Sequence, residues 1–232
     1  MSGGLYLIGV GPGDPELLTL KAVRVLGEIE NVFYIKKPKG NAFAYGIAKN
    51  HINENACLMA FDMEMENERF RANKTYDEIA REILLHLEKG QNVAYICEGD
   101  GLFYGSANYL IKRMPQHIKV EIIAGITSPQ AASAALKRPL IMGNEVFKTL
   151  PAILDDEALL SELQSAKSVA ILKVGRHIQR IKNLLEKTNY LENAKIVEYA
   201  SSEKERVSDL RDFEGDSLPY FAIILSRRSK KK

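Results

Sequence analysis

The chain has 232 residues, 46% of them hydrophobic and 27% charged, which places it with ordinary globular proteins rather than disordered or fibrous ones. A formal net charge of +2 is too small to point to a nucleic-acid partner, and no segment approaches the roughly 20 consecutive apolar residues of a membrane span. Four histidines (His51, His86, His117, His177) and two cysteines (Cys57, Cys97) lack metal-ligand spacing, so no metal is expected and the thiols are expected reduced and buried.

Met1-Ser2-Gly3-Gly4 leads straight into Leu5-Tyr6-Leu7-Ile8, with no signal-peptide pattern, so a cytoplasmic location is the expectation. Leu5–Ile8 reads as a buried first strand stopped by glycines. Asp14-Pro15-Glu16 then reads as a helix start: Asp14 caps, Pro15 suits the first helical position and Glu16 complements the dipole. Leu18, Ala22, Val25 and Leu26 form its inward stripe, and Val32–Ile35 is a second strand. A long helix is expected from Glu68 to Lys89, with Tyr76, Ile79, Ala80, Ile83, Leu84 and Leu87 on one face and Gly90 ending it. Strands follow at Asn92–Ile96 and Val120–Ile123.

Beyond Gly125 the pattern predicts an Ala-rich helix from Thr127 to about Leu136 and a helix over Glu157–Gln164. It then predicts a strand Val169–Leu172, a helix Ile178–Glu186, and strands Lys195–Tyr199 and Tyr220–Leu225. The polar stretch Ser201–Gly215 has room for one more edge strand. Arg227, Arg228 and Lys230–Lys232 read as a frayed, solubilising tail. Alternating strands and helices imply an α/β fold with mostly parallel or mixed sheets. The change of texture sets two domains, 1–123 and 124–232.

Chemistry is carried at strand ends. Gly9-Val10-Gly11-Pro12-Gly13-Asp14-Pro15 follows the first strand, where glycines let backbone approach a ligand or simply make a tight turn. A Rossmann reading fails: the spacing is G-x-G-x-G, and the second strand ends in Ile35-Lys36-Lys37 with no acid to hold a ribose. Glu98-Gly99-Asp100-Gly101-Leu102-Phe103-Tyr104-Gly105-Ser106 follows the strand ending at Ile96, where open parallel sheets bind ligands. A local turn made by Asp100 is its purely structural account. Ala124-Gly125-Ile126-Thr127-Ser128-Pro129 is a third exit, with Thr127 or Ser128 as helix cap or ligand contact. Leu172-Lys173-Val174-Gly175-Arg176 and Val197-Glu198-Tyr199-Ala200-Ser201-Ser202 close the series. No P-loop, Ser/His/Asp or zinc motif occurs.

Together these five segments resemble, in order and over nearly the whole chain, the tetrapyrrole (corrin/porphyrin) methylase family. Gly11–Ala22 and Glu98–Ser106 are most similar to the branch acting on carbon 20 of precorrin-2 or cobalt-factor II in cobalamin biosynthesis. The resemblance implies an S-adenosylmethionine-dependent C-methyltransferase. It implies two consecutive α/β domains with the donor in a cleft between them, the first domain on the tetrapyrrole side and the second on the donor side, and commonly a homodimer. Carried over by position, the donor contacts are Pro12, Glu98, Gly99, Asp100, Phe103, Tyr104, Thr127, Ser128, Val174 and Ala200. Gly101 stands where the family usually has proline, which implies a looser loop and a weaker donor affinity or ordering on binding.

A macrocycle rimmed with carboxylates calls for cations. Arg113, Lys137, Arg138, Lys148, Lys173 and Arg176 are available in the sequence, with Arg176, Lys173 and Arg138 the chosen substrate contacts. Tyr104 or a water is the candidate to accept the proton lost after methylation. The alternatives left open are another tetrapyrrole or diphthamide methylase of the family, a nucleotide-binding oxidoreductase and a non-catalytic binding module.

Overall fold

A computed structural model describes residues 3–38, 40–63 and 69–229. The chain forms two compact units, Met1–Thr127 and Ser128–Lys232, dividing four residues later than the sequence pattern suggests. The difference arises because Gly125 is packed against Gly9 and Gly99 and so belongs with the first unit. Among the described residues no helix is long and apolar enough to cross a membrane.

Unit 1 runs β1 (Leu5–Gly9), α1 (Leu20–Glu28), β2 (Asn31–Lys36), α2 (Phe43–Ala48), β3 (Cys57–Asp62), α3 (Arg69–Glu88), β4 (Val93–Cys97), α4 (Ala107–Ile111) and β5 (Val120–Ile123). Its five strands are all parallel, in the order β3-β2-β4-β1-β5. Side chains alternate across the sheet, and both faces are covered. Leu5, Leu7, Val93, Tyr95 and Cys97 pack with Ile79, Ile83 and Leu87 of α3 and Leu110 of α4. Ile8, Val32, Ala94 and Ile96 pack with Ala22, Val25 and Leu26 of α1 and Ile47 of α2. The chain therefore leaves β1 toward one face and β4 toward the other. The neighbouring carboxyl ends of β1 and β4 are the switch point, where an open α/β sheet offers a crevice.

Unit 2 runs α5 (Ser128–Ala135), β6 (Phe147–Pro151), α6 (Asp156–Ser165), β7 (Ser168–Leu172), α7 (Ile178–Lys187), β8 (Lys195–Glu198), β9 (Arg206–Asp209) and β10 (Ala222–Arg227). The sheet is mixed, in the order β6-β7-β10-β8-β9, with only the β6–β7 pair parallel. Val169, Ile171, Ile196 and Ile224 face α6 and α7. Ala170, Val197, Ile223 and Leu225 face Ala131 and Ala132 of α5.

Several expectations need correction. Asp14 does cap, its Oδ1 accepting from Glu16 N at 2.8 Å, but the turn it opens is a single 3-10 turn, Pro15–Leu17. Leu18 is extended, and α1 starts only at Leu20, capped by Thr19, whose hydroxyl accepts from Ala22 N at 3.2 Å. The start of the long helix at Glu68 lies outside the described residues; from Arg69 it follows the expected course. The edge strands β3 and β6 and the short α2 give no periodic signal, α2 having no side-chain cap. Cys57 is exposed because β3 is an edge strand, whereas Cys97 is buried.

The basic end is not a frayed tail at Arg227 and Arg228. Arg227 Nη2 bonds both Glu145 carboxylate oxygens at 2.6 Å, and Arg228 donates to the Leu163 carbonyl. Lys230–Lys232 lie outside the described residues.

Candidate functional site

In unit 1 three strand exits are fastened together by backbone. Gly11 and Gly99 form an antiparallel bridge, Gly11 N donating to Gly99 O at 3.1 Å and Gly99 N to Gly11 O at 2.8 Å. A Cβ on Gly9 would lie 2.6 Å from Gly99 O and 2.9 Å from Gly125 N; one on Gly125 would lie 2.1 Å from Gly99 O. These glycines let the chain approach itself, which is a different use from admitting a ligand. Gly11 and Gly99 also need glycine for their φ of 82° and 64°.

Asp100 completes the fastening. Its Oδ1 accepts from Leu102 N at 2.9 Å and Phe103 N at 3.1 Å, and its Oδ2 accepts from Gly125 N at 3.0 Å. The local turn is present, and the second oxygen ties the β4 exit to the β5 exit. Both oxygens are therefore committed to the protein. Gly101 is buried, with Ala107 Cβ 3.0 Å from where its own Cβ would stand. Contrary to the expected looseness, the loop is held by Asp100 on one side and by packing on the other.

Beyond this anchor Tyr104 takes a left-handed conformation, φ 55°, and is exposed. A non-glycine residue there costs on the order of 1–3 kcal/mol, so the fold holds Tyr104 in place deliberately. Phe103 is half-buried and meets the Tyr104 ring edge-on at 5.3 Å. Pro12 is buried, and Glu98, Thr127 and Ser128 are half-buried. Burial pushes the Glu98 carboxyl up, partly offset by backbone N–H groups of Glu98 itself and Ala44. Burial, reinforced by Glu98, pushes the Cys97 thiol up to about 12, so it is no nucleophile at neutral pH. Tyr95 lies under the same loop, its hydroxyl 2.8 Å from that of Ser106.

In unit 2 the β7 exit places Lys173 at φ 57°, then Val174 with a 1% exposed side chain inside the core, then Gly175 and exposed Arg176. The β8 exit places Tyr199 at φ 48° and Ser201 at φ 65° on either side of buried Ala200. Ser201 N donates to Glu205 Oε2 at 2.6 Å, and Tyr199 N to Phe221 O at 2.7 Å. Val174 and Ala200 are buried as whole residues, with their side chains in the core. Burial, with Arg180 and Arg176 nearby, lowers the His177 pKa.

The cations chosen for substrate divide. Lys173 and Arg176 stand together at the β7 exit, whereas Arg138 lies beside Ser168 at the opposite end of that strand. Arg113 is held by Asp77 at 2.6 Å, and Lys148 bonds Glu162 and Ser165. The left-handed residues Tyr104, Lys173, Tyr199 and Ser201 had no glycine to announce them, and no sequence signal marks them.

This succession of a parallel sheet with glycine-fastened exits and a mixed sheet is the fold of solved tetrapyrrole methyltransferases. A cobalt precorrin-4 methyltransferase of cobalamin biosynthesis aligns with a TM-score of 0.74 at 18% identity, over 97% of this chain and 94% of that one. A Thermus thermophilus uroporphyrin-III C-methyltransferase, solved with S-adenosylhomocysteine, aligns at 0.67 and 23% identity over 97% of both chains. The sequence matches the model of the tetrapyrrole (corrin/porphyrin) methylases over residues 4–212, and the chain belongs to that family. Among its relatives is a precorrin-2 C(20)-methyltransferase of a Sinorhizobium species, 32% identical over 96% of this chain and 94% of the relative. A cobalt-precorrin-2 C(20)-methyltransferase of Salmonella typhimurium is 28% identical over 97% and 96%. The cobalamin biosynthesis protein CobIJ of Mycobacterium bovis is 35% identical over 96% of this chain, which spans only 46% of that longer relative.

Proposed function

We propose that this protein is an S-adenosylmethionine-dependent methyltransferase acting on carbon 20 of precorrin-2 or its cobalt form in cobalamin biosynthesis. The observation that carries the reading is end-to-end likeness to the Sinorhizobium C(20)-methyltransferase, 32% identical over 94% of that relative. Family membership disfavours the oxidoreductase alternative, and the choice among methylases, or a non-catalytic member, falls to the assay below.

The residues present fit such a donor. A Cβ on Gly99 would meet nothing nearer than Ile126 O at 3.9 Å, and one on Gly175 nothing within 4 Å, so the backbone at both exits is approachable. When bound, S-adenosylmethionine supplies a methyl group already activated as a sulfonium. The protein's share is then orientation, worth roughly 7–11 kcal/mol of barrier when reacting groups are well placed. Pro12, Glu98, Gly99, Phe103, Tyr104, Thr127, Ser128, Val174 and Ala200 are the proposed donor contacts. Asp100 enters as a positioning residue, since its oxygens already hold the loop. Lys173 and Arg176 meet substrate carboxylates, and exposed Tyr104 accepts the departing proton.

We place the protein in the cytoplasm as a homodimer, which light scattering of the purified chain tests. A single-turnover assay with S-adenosylmethionine and precorrin-2, read by NMR, is expected to give one new methyl group on carbon 20. A methyl group on another carbon, or none, overturns the assignment. Parallel kinetics with the cobalt-bearing substrate decide between the two forms.

A further inference from the structure

Unit 2 holds a cavity of about 370 Å³ whose wall includes Arg138, Lys167, Arg227 and Arg228. It lies where β7 begins at Ser168, where β10 ends at Arg227 and just before β8 at Lys195. Val174 and Ala200 follow the other ends of β7 and β8, and a five-residue strand spans about 13–16 Å. The cavity is thus separate from those exits, and nothing in the methyl-transfer reading uses it.

Of the four cations Arg227 pairs with Glu145 at 2.6 Å, and Lys167 lies within the field of the same carboxylate. Lys167 gives Nζ to the Arg228 carbonyl at 2.7 Å. Arg228 gives Nη2 to the Leu163 carbonyl and lies over the Tyr190 ring, 5.3 Å from its centre. Those partners are neutral, and Arg138 forms no ion pair among the described residues. Two guanidinium nitrogens, Arg227 Nη1 and Arg228 Nε, are buried without an acceptor. Folded proteins leave few buried donors unmet, least of all charged ones. Two hydroxyls of the wall are already spent, Ser226 Oγ on Tyr190 O at 2.5 Å and Ser168 Oγ on Ser226 O at 3.4 Å.

We propose that this cavity is an oxyanion site that takes the phosphate or carboxylate group of a small molecule. Its volume falls within the roughly 300–1,000 Å³ of small-molecule sites. Four cations against one carboxylate, Glu145, favour a negative ligand, and guanidinium forks suit paired oxygens.

The test is calorimetric titration of the intact chain with sodium phosphate, pyrophosphate and succinate, at ionic strength held constant with sodium chloride. Arg227→Ala risks the fold through Glu145, so the variants are Arg138→Ala, at an exposed position, and Arg138→Ala/Lys167→Ala, each checked for an unchanged thermal midpoint. Saturable binding to the wild type is expected, about tenfold weaker in Arg138→Ala and weaker again in the double variant. Tighter binding of phosphate or pyrophosphate assigns a phosphorylated ligand, and tighter binding of succinate a carboxylate one. No saturable binding of any probe, or equal binding by folded variants, overturns the proposal.

Discussion

The Asp100 carboxylate reaches the backbone of Gly125, Oδ2 accepting from Gly125 N at 3.0 Å while Oδ1 holds Leu102 N and Phe103 N. One side chain thereby sets the spacing of the β4 and β5 exits. Asp100→Ala removes all three bonds and is expected to cost about 2–4 kcal/mol in urea unfolding, for a half-buried side chain that accepts from three backbone N–H groups. Asp100→Asn keeps one acceptor and is expected to lose about half as much. Affinity for S-adenosylhomocysteine is expected to fall in step with stability. Full stability together with lost affinity would mean that the carboxylate touches the ligand itself.

Gly125 and Gly99 separate two uses of glycine. A Cβ at Gly125 would lie 2.1 Å from Gly99 O, a clash with backbone that no rotamer relieves. Gly125→Ala is therefore expected to cost more than about 3 kcal/mol or to yield insoluble protein. At Gly99 the space is open and only φ 64° is at stake, so Gly99→Ala is expected to cost about 1–2 kcal/mol. Thermal midpoints of the two variants check the order.

Much of this arrangement is legible in the sequence, and what is not has a physical reason. The strand exits show themselves because apolar runs stop at glycine, and the inward stripes of α1 and α3 because their spacing is helical. The Asp100–Gly125 bond joins residues whose neighbours give no hint of each other. Arg227 and Arg228 read as a solvated run because their partners Glu145, Leu163 and Tyr190 are distant in sequence. Lys173, Tyr199 and Ser201 adopt left-handed backbone that side-chain type does not announce. Edge strand β3 carries an apolar run, Cys57–Phe61, but no alternation that marks a buried face.

Acid is expected to weaken unit 2 through Asp209. Arg211, then Lys195, hold its carboxyl well below the usual carboxylate range. A depressed folded-state pKa gives stability that is present above about pH 4, the unfolded value, and lost as pH falls further. Comparison of wild type with Asp209→Asn across pH 2–7 is expected to show a stability gap at neutral pH that narrows steadily as pH falls below about 4. A gap constant with pH would show that these ion pairs add nothing to the folded state.

The two cysteines are expected to differ in reactivity. Cys57 is exposed on β3, whereas Cys97 is buried and its thiol pushed up to about 12. Iodoacetamide at pH 8 is expected to add one label to the native protein, at Cys57, and a second only on unfolding, read by mass spectrometry. Because the Cys97 value is raised, its contribution to stability is complete below about pH 9 and lost as pH climbs toward about 12. Labelling of Cys97 in folded protein would show that the β4 exit opens.

Arg176 tests the proposed substrate rim. It is exposed at the β7 exit two residues after buried Val174, so removing its side chain leaves the core untouched. Arg176→Ala is expected to raise the tetrapyrrole KM by about tenfold, the worth of one charge-assisted contact, with S-adenosylhomocysteine affinity unchanged. Arg176→Lys keeps the charge but not the fork and is expected to fall between the two. A rise in the donor KM instead would place Arg176 against the methyl donor, and an unchanged tetrapyrrole KM would remove it from the rim.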